Sequence, residues 1–255
     1  MRRSIFLLFV LLSATGLRAE ALAPGGVGLA IEIVDGDTLV LKDGRSVRLV
    51  GLQAPKLPLG RKGFKTWPLA EAAKRYLAGL ALGKRLTLSY GGRRTDRYDR
   101  LLAHLHDPGG LWIQGAMLEA GMARVYTFPD NRALAPRMLA LERTARTARR
   151  GIWADRFYRV RGLGEAMRDV GSFQLIEGRV RKVAVVRGRS YLNFGADWRR
   201  DFTISIDRRH GRAFASAGLD PRRLEGRLVR VRGWLESRNG PMIQATHPEQ
   251  IEVLE

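Results

Sequence analysis

The chain contains no cysteine, so no disulfide can staple it and each domain has to be held together by its core alone. Negative charge is also scarce: 25 Asp and Glu stand against 45 Lys and Arg, a formal charge of +20. Lysine is nearly absent from that basic set, with 7 Lys against 38 Arg. Beyond the first twenty-odd residues there is no long hydrophobic run, which excludes a later membrane-crossing helix and predicts a soluble mature protein. The length, 255 residues, allows one large domain or two small ones, each able to bury a core.

What is present begins with a targeting pattern. Arg2 and Arg3 precede an unbroken apolar run from Ile5 to Leu12, and A-x-A patterns follow at Ala19–Ala21 and Ala21–Ala23. The run is too short to span a bilayer, so residues 1–23 read as a cleaved secretory signal, with an uncleaved anchor as the alternative. Export to the periplasm or the exterior follows from that reading. Cleavage after Ala19 leaves +17, and after Ala21 +18. Guanidinium groups form bidentate pairs with phosphate oxygens, so so basic a mature chain predicts a polyanionic partner. A GC-rich genome also accounts for Arg over Lys, but not for the deficit of carboxylates.

Strand signals open the mature chain in "GVGLAIEIV" and "TLVLKDGRSVRLVGL", where Asp43-Gly44 marks a hairpin turn. "WPLAEAAKRYLAGLAL" has apolar residues at helical spacing, and Gly83 is placed to stop it. "RLTLSYGG" and "RLLAHLHDPGGLWI" read as two strands. "IQGAMLEAGMARV" and "LAPRMLALERTARTARRGIW" read as helices, the last with a basic outer face. The pattern predicts a mainly β fold with α, a small barrel with helices packed on it, over residues 27–153. Residues 154–171 read as a linker. Short strands resume over 172–255, with Asn239-Gly240 as a tight hairpin, and predict a second small OB-like β-barrel.

Four motifs in the first half, "VDGDT", "RLVGLQAP", "TDRYDR" and a closing "GIW", occur in the order and spacing of the staphylococcal nuclease (thermonuclease) family. The chain resembles that family over roughly residues 29–153. The resemblance implies an OB-fold barrel and Ca²⁺-dependent cleavage of DNA and RNA. In such a site oxygen ligands hold Ca²⁺, a carboxylate deprotonates the attacking water, and two guanidinium groups neutralise the transition state. By motif match Asp37 is a metal ligand, and Arg48 and Arg100 are the phosphate clamp. Tyr98, Arg97 and Tyr126 lie where the nucleotide is contacted.

Two positions depart from the pattern. Gln53 stands where the family has its second metal carboxylate, and Lys56 where it has the general-base Glu. An amide is a weak remnant ligand, and an ammonium ion neither accepts a proton nor tolerates Ca²⁺ beside it. Either Lys56 sits in the calcium position and pairs with Asp37, or it points to solvent in a decayed pocket. The nearest downstream carboxylate, Glu71, is the only replacement base in view. His104 and His106, two apart on one strand, have metal-ligand spacing but read better as surface-packed residues. In the second half Trp198 and Trp234 are candidates for stacking on nucleic-acid bases, with core packing as the alternative. Three function classes follow: a nuclease homologue that binds nucleic acid or another polyphosphate with cleavage lost or weakened; an active Ca²⁺-dependent nuclease with a rebuilt site; and an envelope scaffold docking on anionic polymers or lipid.

Overall fold

The computed structural model describes residues 22–255; of the expected signal segment, residues 1–21 lie outside the described residues. Strands β1 (Ala23–Asp35), β2 (Thr38–Leu41) and β3 (Ser46–Leu49) run in succession, followed by the short β4 (Leu52–Gln53) and helix α1 (Ala70–Ala81). Strands β5 (Arg85–Tyr90) and β6 (Leu101–His106), helix α2 (Ile113–Glu119), strand β7 (Arg124–Val125) and helix α3 (Ala135–Thr147) complete the first half. The order β1-β2-β3-β6-β5 closes into a five-stranded barrel.

Closure depends on β1 serving two neighbours: Ala23 to Leu29 pair with β5, and Ala30 to Asp35 pair with β2. Register shifts along β1 mark the bulges that let one strand coil around the barrel. Asp43-Gly44 makes the predicted β2–β3 turn, with Gly44 at φ 84° and the Asp43 carboxylate accepting the Arg45 N–H at 3.1 Å. Leu39, Leu41, Val47, Leu49, Leu86, Leu88 and Leu105 fill the interior, where α1 adds Ala73, Leu77 and Ala81. Helix α1 ends at Ala81, two residues before Gly83, which takes the left-handed φ of 73°.

The second half begins with turns of 3-10 helix at Gly151–Ala154, Arg156–Tyr158 and Leu163–Asp169, with β8 (Arg161–Gly162) among them. Then come β9 (Phe173–Arg179), β10 (Lys182–Val186), β11 (Arg189–Asn193), β12 (Thr203–Ile206), helix α4 (Gly211–Ser216), β13 (Leu228–Ser237), β14 (Pro241–Ala245) and β15 (Ile251–Val253). They form one sheet in the order β10-β11-β12-β14-β13-β9-β8, with β15 also on β13. The sheet curls around a core of Ile176, Leu192, Ile204, Val229, Val231 and Ile243 without its end strands pairing, a half-barrel. "FQLIEGRVRKVAVV" is two strands, because the Val180 backbone bonds to Arg227 and Gly226 instead of continuing the ladder.

The stretch read as a linker is packed. Tyr158 is 2% exposed and donates its hydroxyl to the Pro68 carbonyl at 2.7 Å, while β8 joins the second sheet beside β9. Helix α3 lies against that sheet, which changes the reading of its basic outer face. Arg232, on β13, reaches across to α3 and donates to both Glu142 oxygens at 2.9 Å and to Glu252 at 2.6 Å. Glu142 also takes the Val125 N–H at 2.6 Å and Arg146 at 2.8 Å. Thr127 hydrogen-bonds His247 at 2.8 Å, and Arg132 makes two bonds to Glu249, at 2.9 and 2.8 Å.

Two of the four histidines are buried and neutral. Burial holds His104 and His247 down at about 4. A histidine kept neutral in the fold contributes stability that is fully present above its ordinary value of about 6.5 and is lost as pH falls toward 4. Each should therefore cost about 3 kcal/mol of stability by pH 4, from the difference between about 6.5 unfolded and about 4 folded. Thermal melts at intervals from pH 7 to 4 should fall steadily, and His247→Gln should flatten that dependence. A profile for the variant as steep as the parent's would remove His247 from the account.

Candidate functional site

The β1–β2 turn carries "VDGDT" and is drawn tight against α1. Gly36 is required there: a Cβ would stand 2.7 Å from Ala54 Cβ and 2.8 Å from Ala73 Cβ. This packing buries Asp37 completely and leaves Asp35 4% exposed. Pairing of Thr38 with Arg48 across β2 and β3 brings the guanidinium to the Asp37 carboxylate. Arg48 also donates to the Leu52 carbonyl at 3.2 Å.

Lys56 resolves the alternatives left by its sequence position. Its ammonium lies 2.6 Å from Asp37 Oδ2 and 3.5 Å from Asp35 Oδ2, with the side chain 17% exposed. The Ala54 N–H adds a 2.9 Å bond to Asp37 Oδ2, and the Asp37 N–H donates to Asp35 Oδ1 at 3.0 Å. Burial alone would raise Asp37, but Arg48 and Lys56 outweigh it and hold the carboxyl well below the usual range. Asp35 moves the other way, raised by burial and by the neighbouring Asp37 charge against the pull of Lys56.

The fit of a calcium ion can be judged from these donors. Ca²⁺ needs six to eight oxygens, preferably anionic (about this number in known sites). Both Asp37 oxygens and both Asp35 oxygens face a cation or a backbone N–H. Gln53 offers nothing in exchange, because its Oε1 accepts Arg124 Nε at 3.0 Å and Nη2 at 2.7 Å. Among the described residues no group of three or more His, Asp or Glu side chains is arranged to hold a metal. The residues present do not fit Ca²⁺.

Above the aspartates opens a cavity of about 650 Å³. Arg48, Lys56, Arg61, Arg93, Arg97 and Arg100 line it, against the carboxylates of Asp35, Asp96 and Asp130. Arg48 and Arg100 thus line one cavity. Arg100 is held by Asp96 through bonds of 2.9 and 2.6 Å and keeps 29% of its side chain exposed. Tyr98, 64% exposed, lies under Arg97 and Arg100. Tyr126 and Phe128 form the aromatic wall, with ring centroids 4.9 Å apart. Glu71 is exposed in the first turn of α1 and does not line the cavity.

Other sequence candidates fall elsewhere. His104 is fully buried against Trp112 instead of surface-packed, and His106 is partly exposed. Trp198 and Trp234 are both half exposed and neither lines the cavity. Sequence reasoning missed Arg124, Asp35, Phe128 and Phe173. Asp35 and Phe128 each sit two residues from a chosen one, Asp37 and Tyr126. Arg124 is buried beneath Phe173, 4.7 Å from its ring, and burial pushes the guanidinium down to about 10. Its partners come from distant segments, so no local pattern marks it.

Comparison with known proteins agrees with the geometry. The family model for staphylococcal nuclease homologues matches residues 46–155, a span that includes Arg48, Gln53, Lys56 and Arg100. A protein named "Uncharacterized endonuclease" from Escherichia coli is 30% identical over 131 residues, covering 50% of this chain and 77% of the relative. "Protein ParB" from Escherichia coli is 34% identical over 139 residues, covering 50% of this chain and 72% of that protein. The barrel, the motif order and these relatives agree on one lineage: the chain belongs to the staphylococcal nuclease homologue family.

Proposed function

We propose that this chain is an exported, nuclease-fold protein that binds nucleic acid or another polyphosphate, with phosphodiester cleavage lost or weakened. One observation carries the reading: the Lys56 ammonium pairs with Asp37 and Asp35 in a site that calcium chemistry would require to be anionic. Arg48, Arg100 and Lys56 then offer three fixed cations to a phosphate, and the Asp35, Asp37 and Asp96 carboxylates beside them are already engaged by Lys56, Arg48 and Arg100. Export is supported by the amino-terminal pattern, which suits a protein meeting polyanions in the envelope.

Binding of a fluorescein-labelled oligonucleotide should be equal in Ca²⁺ and in EDTA, and should weaken steeply with salt, because each phosphate contact releases counterions. Arg100→Ala should weaken that binding by about 1–3 kcal/mol, the usual cost of losing a charged hydrogen-bond partner. Retention on anionic vesicles but not on oligonucleotides would favour the scaffold class instead. If Arg100→Ala leaves affinity unchanged, the cavity is not the phosphate site.

A further inference from the structure

The face of the second sheet that meets the first half carries an aromatic residue it does not cover. On β9 and β13 the register pairs Phe173 with Trp234, Leu175 with Arg232 and Glu177 with Arg230. Residues opposite one another in an antiparallel pair project from the same face. Arg232 enters the ion cluster on α3, so this face is the one turned toward the first half. Phe173 is covered there: its ring meets Tyr126 edge-on at 4.6 Å, with Arg124 above it. Trp234, one strand over, is 51% exposed.

Tyr126 touches Phe128 in turn, and those two line the basic cavity. A row therefore runs Phe128, Tyr126, Phe173, Trp234 from the cavity to β13: the first three rings are in edge contact, and Trp234 stands opposite Phe173 across the β9–β13 pair. Its two ends are solvent-facing, with Phe128 50% exposed. Neither half of the chain makes the row alone. A cavity of about 650 Å³ has room for a nucleotide, and a polymer held there has to leave across its rim. Flat aromatic faces on such a rim stack bases regardless of sequence, and only the unstacked bases of a single strand are free to use them.

We propose that the junction of the two halves is a second base-stacking subsite, centred on Trp234. It takes a nucleotide flanking the one whose phosphate lies in the cavity. The ligand class is then single-stranded nucleic acid several nucleotides long, in preference to mononucleotide or duplex. This rests on the phosphate-binding reading of the cavity and adds the length and strandedness of the ligand.

The test is fluorescence anisotropy in EDTA with labelled oligothymidylates of increasing length, a duplex of matched length, and thymidine 3′,5′-bisphosphate as an unlabelled competitor. Affinity should rise with length beyond a dinucleotide, and the duplex should bind more weakly than the single strand. Trp234→Ala should weaken an octamer by about 5- to 150-fold, the effect of losing one stacked base. It should leave competition by the bisphosphate unchanged. Trp234→Phe, which keeps a flat ring and the packing, should retain most of the affinity, so a folding defect in the Ala variant would not obscure the result. Trp198→Ala, equally exposed but off the row, serves as the control and should have no effect. Octamer binding by the parent that neither Trp234 variant changes would overturn the subsite alone, and so would equal affinity for duplex. No binding of octamer or bisphosphate by the parent would overturn the cavity reading as well.

Discussion

Arg232→Met should destabilise the whole protein by about 3–5 kcal/mol, the cost of removing one partner from a buried ion cluster. Total stability of a protein this size is about 5–15 kcal/mol, so the loss is a large fraction. Arg232 is 1% exposed and holds Glu142 on α3 and Glu252 on β15 at once. Without it, Glu142 keeps Arg146 and the Val125 N–H, but Glu252 retains only longer contacts of 3.6 to 3.8 Å with Arg143, Arg146 and Arg230. The cluster spans the two halves, so urea melts followed by far-UV and near-UV circular dichroism should shift together. Glu252→Gln added to Arg232→Met should recover part of the loss by removing the stranded charge. A separate early transition of the second half, with the first unaffected, would show that the cluster does not couple them.

Lys56→Glu is expected to reverse the character of the site. The substitution removes the ammonium beside Asp35 and Asp37 and places a third carboxylate with them. In EDTA the variant should lose about 2–4 kcal/mol, since uncompensated buried charges repel. Calcium should then stabilise it, by about 2.7 kcal/mol at a hundredfold excess over its dissociation constant. The parent should melt at the same temperature with and without Ca²⁺. Adding Gln53→Asp should contribute less to metal binding than the motif suggests, because position 53 meets the Arg124 guanidinium and a carboxylate there would pair with it. If Lys56→Glu shows no calcium-dependent shift while remaining folded, the aspartates are not oriented toward a shared ion.

The site was legible in the sequence where short-range pattern and strand pairing determine it. "VDGDT" and the start of "RLVGLQAPK" face each other across one hairpin, so Asp37 and Arg48 had to meet once the β2–β3 register was set, while Lys56, beyond β4, is brought back by the loop whose Ala54 N–H bonds to Asp37. The Asp43-Gly44 and Gly83 signals placed a turn and a helix end for the same local reason. The packing of residues 154–171 was not legible, because nothing local distinguishes an exposed connector from one whose Tyr158 hydroxyl bonds to a residue ninety positions earlier. "RLVRVRGWLES" alternates as a solvated basic face would, yet α3 covers that face and Arg232 is buried. Only the buried carboxylates Glu142 and Glu252, far away in sequence, account for it. Gln53 was legible as a departure from the family, but its engagement by Arg124 depends on the β4–β7 pairing between segments about seventy residues apart.

The most direct measurement is cleavage of a labelled single-stranded DNA by the protein, at matched concentrations of Ca²⁺ and EDTA, with binding followed in the same samples. The account predicts a bound, intact oligonucleotide in both, because the Lys56 ammonium pairs with Asp37 and Asp35 where a calcium site needs free anionic oxygens. Rapid cleavage that Ca²⁺ supports and EDTA abolishes would contradict it, and would mean that the Lys56–Asp37 pair opens to admit the metal.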